Sequence, residues 1–115
     1  MSTSKFSYDG MDKVIHERAR LGILTSLVTH HQGLTFVQLK KLCDLTDGNL
    51  SRHIKVLSEA GFVLIEKSFV DNRPQTFCRV TEAGQSAFAT YIEVLETIVK
   101  DASSLHVASP QLKTT

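Results

Sequence analysis

Apolar residues recur along the chain with two different periods. From Met11 to about His30, Val14, Ile15, Leu21, Leu24, Leu27 and Val28 fall three or four apart, which predicts one amphipathic helix, or a short helix running into a longer one. HHQG at 30–33 supplies a polar stop, with Gly33 in a capping position. Thr35 can cap the next helix, FVQLKKLC, which places Phe36, Leu39 and Leu42 on one side and ends near Cys43. After the short turn DLTDG, Leu50, Ile54 and Leu57 fall at i, i+4 and i+7, which predicts an amphipathic helix with Thr46 or Asp47 as its N-cap. Ala60-Gly61 ends it.

The pattern then changes. Phe62 to Phe69 (FVLIEKSF) and Gln75 to Val80 (QTFCRV) are rich in β-forming residues, and the turn-forming VDNRP lies between them with Pro74 at a strand edge. These segments predict a two-stranded hairpin. Thr81, with Glu82 beside it, opens a last helix whose apolar stripe is Phe88, Tyr91, Ile92, Leu95, Ile98 and Val99. Val94 and Ala87 widen that stripe beyond what one modest core needs. The expected fold class is therefore α+β, mostly α: a helix-turn-helix, a two-stranded hairpin wing and a C-terminal dimerisation helix. Residues 1–10 are expected to form a flexible N-terminus, 11–100 a single domain with terminal dimerisation helices, and 101–115 a flexible tail.

Composition narrows the class of protein. With 42% apolar and 22% charged residues among 115, the chain has the makings of one ordinary globular core. No apolar run approaches the ~18–20 residues of a membrane span, and MSTSKFSYDGMDK lacks the apolar core of a signal peptide. A cytoplasmic protein without a membrane partner is expected. Cys43 and Cys78 are far apart and His16, His30, His31, His53 and His106 are scattered, so no metal site, disulfide framework or cofactor is expected. No Gly-rich phosphate loop, nucleophile elbow or carboxylate pair stands out, which argues against an enzyme.

The net charge of +1 says little by itself. Between Thr35 and Val80 seven basic residues face five acidic ones, whereas from Thr81 to Lys100 three glutamates face one lysine. The middle of the chain is thus mildly basic, a weak electrostatic footprint for nucleic acid.

The predicted helix after Thr46 carries the candidate chemistry. At roughly 100° per residue, Arg52 lies almost opposite the apolar face, flanked by Lys55, with Ser51 beyond it and Asn49 near the N-terminal end. Arg can bond guanine bidentately, Asn can bond adenine, and Ser can reach a phosphate or base. A major groove admits one such helix, base edges meet its N-terminal residues, and free amides at its start favour a phosphate. Gly48 leaves room for close approach. His53 lies beside the core face and reads as a packed or half-buried side chain. Asn72 and Arg73 at the hairpin turn are candidates for a wing contact to a minor groove or phosphate. The DNA-binding set is therefore Thr46, Asn49, Ser51, Arg52, Lys55, Asn72 and Arg73. The expected dimer surface joins Val14 and Ile15 to the last helix's Phe88, Tyr91, Ile92, Leu95, Ile98 and Val99.

TDGNLSRHIKVLSEAGFV, RPQTFCRVTEAG and HERARLGIL, in this order, resemble the winged-helix transcriptional regulators of the MarR-like group, and most closely a compact subgroup with the recognition segment TDGNLSRHI. The resemblance covers residues 14 to 99 or so. It implies a sequence-specific regulator of transcription, acting as a repressor and as a homodimer on double-stranded DNA, with the first and last helices at the dimer contact. Full-length MarR proteins have further helices that build a ligand cleft, so the effector is left unassigned. Two alternatives stand beside this reading. One is a winged-helix module that binds protein. The other is a metal- or thiol-responsive sensor, because LCDL is similar to the metal-binding helix of ArsR-type repressors, although Cys43 stands alone where that family carries two cysteines.

Overall fold

A computed structural model of the protein describes residues 5–103. Helix α1 spans Arg18–Thr29, strand β1 Leu34–Thr35, helix α2 Phe36–Cys43, helix α3 Asp47–Glu59, strands β2 and β3 Val63–Val70 and Arg73–Val80, and helix α4 Glu82–Ser103. The three strands form one antiparallel sheet in the order β1-β3-β2. The helices pack against its β1 end, and β2 and β3 extend beyond them as a hairpin.

Local chemistry explains most of the boundaries. The Thr35 hydroxyl accepts from the Gln38 amide at 3.1 Å while the Gln38 side chain accepts from the Thr35 amide at 2.9 Å, a reciprocal cap that starts α2. Asp44 ends α2 in the left-handed region, at φ 54. Thr46, rather than Asp47, caps α3, its hydroxyl accepting from the Asn49 amide at 3.2 Å. Gly61 closes α3 at φ +85, a conformation that favours glycine, and the Phe62 amide reaches back to the Leu57 carbonyl.

The chain before α1 departs from the periodic expectation. Helix α1 begins at Arg18, not near Met11. The Asp12 carboxylate accepts from the Val14 and Ile15 amides at 2.7 and 3.2 Å, a local turn that competes with helix. Glu17 then takes an extended conformation and caps α1 by accepting from the Arg20 amide. Within residues 5–10, Tyr8 and Gly10 meet α4: the Tyr8 hydroxyl donates to Asp101 at 2.7 Å, and Gly10 comes so close to Val94 that an added Cβ would lie 2.7 Å from it. Helix α4 continues to Ser103, and the rest of the expected tail lies outside the described residues.

The hairpin is longer than its β-rich segments, and it gains a third strand. β3 starts at Arg73 because the connection is a two-residue turn, Asp71-Asn72, with both residues at positive φ. Arg73 is therefore the first strand residue, opposite Val70, and the turn itself is the tip. Pro74 is tolerated because β1 pairs only with Phe77 and Cys78, which leaves that stretch of β3 open on one side. Gly33 allows β1 to enter, since an added Cβ would collide with the Phe77 ring.

The core is built by Ile23, Leu24 and Leu27 of α1, Leu39 of α2, and Leu50, Ile54 and Leu57 of α3, under Cys78 and Val80 of β3. Ile15 and Tyr91, both expected at a dimer surface, belong to this core instead, at 0% and 1% exposure. The Tyr91 hydroxyl lies 2.7 Å from His16 Nδ1, so its burial leaves no polar group unmatched. Val14, Phe88 and Leu95 pack partly against the core, Ile92 and Ile98 are half-buried, and Val99 is 63% exposed. In α2 the expected face is also corrected: Leu39 is buried but Leu42 is exposed, because a three-residue spacing drifts about 60° round a helix at each step.

Candidate nucleic-acid interface

The short turn from Asp44 to Thr46 sets α2 against α3. Lys40 near the end of α2 bonds Asp47 at the start of α3, Nζ to Oδ1 at 2.7 Å, across that turn. Burial of Leu50, Ile54 and Leu57 fixes which side of α3 faces outward. Asn49, Ser51, Arg52 and Lys55 are all exposed on it, as is the capping Thr46. Arg52 Nη2 donates to Asn49 Oδ1 at 2.9 Å. Gly48, in the first turn, has open space where a Cβ would stand.

On the hairpin, Asn72 and Arg73 are exposed at and beside the tip. Further down the same ladder, Arg79 is engaged by Glu66 at 3.0 Å. Cys78 is fully buried, and burial pushes its thiol up to about 11, which keeps it protonated and unreactive. Cys43 is half-buried, 3.6 Å from the Ser26 hydroxyl. Among the described residues no group of three or more His, Cys, Asp and Glu side chains is arranged to hold a metal ion. Among them also, no helix is long and apolar enough to cross a membrane.

His53 lies beside the core, as its position on the helix predicts, and its partners come from distant parts of the chain. It is 9% exposed, with Nδ1 3.2 Å from Arg20 Nη1 and 3.7 Å from Glu17 Oε1, and Nε2 3.5 Å from Arg52 Nη2. Arg20 is held from behind by the Val14 carbonyl, which accepts from its Nε at 2.7 Å. The Arg20 amide, which the Glu17 carboxylate accepts, holds that carboxyl below its ordinary value, with help from the Arg20 guanidinium. No sequence spacing links residues 14, 17 and 20 to 52 and 53. Glu17, Arg52 and His53 border an open cleft of about 740 Å³ between α1, the end of α2 and the start of α3.

A helix-turn-helix followed at once by a β-hairpin, with a polar outer face on its second helix, defines a winged-helix domain of the nucleic-acid-binding class. Comparison with known proteins agrees. Residues 19–99 match the winged helix DNA-binding domain family, and the chain belongs to it. Over 85 residues it is 39% identical to the uncharacterized protein MJ0432 of Methanocaldococcus jannaschii, covering 73% of this chain and 91% of that one. The structure of a transcriptional regulator homologue from Pyrococcus horikoshii OT3 is similar at a TM-score of 0.74 and 31% identity, over 81% of this chain and 92% of that one. A MarR family transcriptional regulator from Silicibacter pomeroyi shares the fold at a TM-score of 0.56 and 23% identity, over 76% of this chain and 54% of that one.

Proposed function

We propose that the protein is a sequence-specific DNA-binding regulator of transcription that acts as a homodimer and represses by occupying its operator. The outer face of α3 carries this reading: Asn49, Ser51, Arg52 and Lys55 stand exposed on a helix whose other face is fully committed to the core. Arg52 and Asn49 read base edges, whereas Thr46, Ser51 and Lys55 hold the backbone. Asn72 and Arg73 bring the wing to the flanking groove or phosphates. A surface for binding protein would be apolar or aromatic at this place, and α3 offers the opposite.

The dimer rests on α4. Beyond Tyr91 it carries Ile92, Val94, Ile98 and Val99, only partly covered or exposed within one chain. Two-fold pairing of these helices gives a pair of recognition helices suited to half-sites about one DNA turn, ~34 Å, apart. Occupancy of a promoter is enough for repression and needs no further surface.

The test is selection of bound duplexes from a random pool, followed by titration of the winner at several salt concentrations. A two-fold symmetric consensus and a steep salt slope are expected, and the slope flattens in Lys55→Ala and Arg73→Ala. Recovery of no consensus would sink the reading.

A further inference from the structure

We propose that His53 is a positioning residue for base reading: its imidazole separates Arg52 from the Glu17 carboxylate and so keeps the guanidinium on the outer face of α3. This rests on the DNA reading given above. Beside Leu50, Ile54 and Leu57, an apolar residue would serve packing at no desolvation cost, whereas a buried imidazole needs compensating contacts. His53 has polar neighbours on both edges. Its Nδ1 edge faces Arg20 Nη1 at 3.2 Å and Glu17 Oε1 at 3.7 Å, and its Nε2 edge faces Arg52 Nη2 at 3.5 Å. The ring therefore stands between a carboxylate and a guanidinium that attract one another.

A neutral imidazole accepts at one nitrogen only. The shorter Nδ1 contact is to the guanidinium donor of Arg20, which puts the ring proton on Nε2. An N–H then faces Arg52, so the ring offers Arg52 no acceptor. Arg52 Nη2 donates instead to Asn49 Oδ1, at 2.9 Å on the exposed side. Arg20 cannot yield easily, because the Val14 carbonyl fixes its Nε and its own side chain is only 17% exposed. Glu17 is held in turn by the Arg20 amide at 2.9 Å, while its side-chain contact to Arg20 is long, at 4.0 Å. The Glu17 carboxylate thus faces one edge of the ring and the arginine proposed to read bases faces the other.

The experiment measures, for wild type and variants, affinity for the selected duplex and for a random duplex, with thermal unfolding as a check of folding. In His53→Ala, Arg52 turns in to Glu17. The ratio of specific to non-specific affinity falls about tenfold, the scale of a lost Arg–base contact, while random-duplex affinity stays within about twofold. Glu17→Gln alone leaves the ratio as in wild type, and adding it to His53→Ala restores most of the ratio by removing the competing charge. Should His53→Ala fail to fold, His53→Asn carries the same comparison, because its amide still meets Arg20 but stops short of the Nε2 position. An unchanged ratio in the folded variant, or a loss that Glu17→Gln does not relieve, overturns the proposal. A wild-type protein that selects no sequence overturns the DNA reading itself, and that result is seen before any variant is made.

Discussion

Arg52 donates to Asn49 across one turn of α3, at 2.9 Å, with both side chains exposed on the face turned away from the core. A free arginine on a helix surface samples many rotamers, and ordering it on binding costs free energy. The Asn49 carbonyl restricts one guanidinium nitrogen beforehand and leaves the rest of the fork open. The two side chains thus act as a unit.

Arg52→Ala should lower affinity for the selected duplex by ~1–3 kcal/mol and relax the preference at the base it contacts. Asn49→Ala removes both its own contact and the restraint on Arg52. The double variant should therefore lose less than the two single losses added together. Fluorescence-anisotropy titration of all three against wild type checks this, and strict additivity would mean the observed bond has no part in binding.

Two glycines on helices should respond to alanine in opposite ways. At Gly48 a Cβ meets nothing within 4 Å, so Gly48→Ala should raise stability by ~0.5–1 kcal/mol through helix propensity while weakening DNA binding, because the backbone is the proposed point of close approach. At Gly84 a Cβ would collide with the Phe62 carbonyl, so Gly84→Ala should destabilise by ~1–3 kcal/mol by forcing α4 away from the start of β2. Denaturant midpoints measure both, and duplex titration measures the binding effect of the first.

Val99 is the side chain of the α4 stripe best suited to test the dimer without harming the monomer, at 63% exposure. Leu95 would be a poor choice because it packs against the core. Val99→Glu should shift the protein toward monomer in analytical ultracentrifugation while leaving its far-UV circular dichroism unchanged. A wild type that is monomeric throughout the micromolar range would count against the two-fold arrangement.

Glu17 supplies a pH-dependent share of stability. Its carboxyl lies below the ordinary value of 4.5, chiefly because it accepts the Arg20 amide, so the folded state favours the ionised form. The contribution is present above 4.5 and is lost as pH falls through the lowered folded value. Urea midpoints of wild type and Glu17→Gln should differ at pH 6–7, with wild type higher, and converge as the pH is taken down toward 3. A gap that persists unchanged in acid would place the stabilisation elsewhere.

Local patterns in the sequence determined much of the architecture. The cores of α2, α3 and α4, the caps at Thr35 and Thr46, the stop at Gly61 and the hairpin all follow from residues within a few positions of one another. For the same reason the outer face of α3 was legible: once Leu50, Ile54 and Leu57 turn inward, helix geometry places Arg52 and Lys55 outside. The tertiary structure decided what depends on distant partners. Strand β1 has two residues, too few for any period, and exists because Cys78 and Phe77 offer it an edge. Helical spacing at Val14 and Ile15 is met by a turn because Asp12 captures their amides, and Ile15 is buried. Tyr91 lies on an apolar stripe that reads as a surface, yet it enters the core because His16, 75 positions away in the chain, meets its hydroxyl. The place of His53 between Glu17, Arg20 and Arg52 arises in the same way, since only the packing of α1 across α3 brings those charges to opposite edges of one ring.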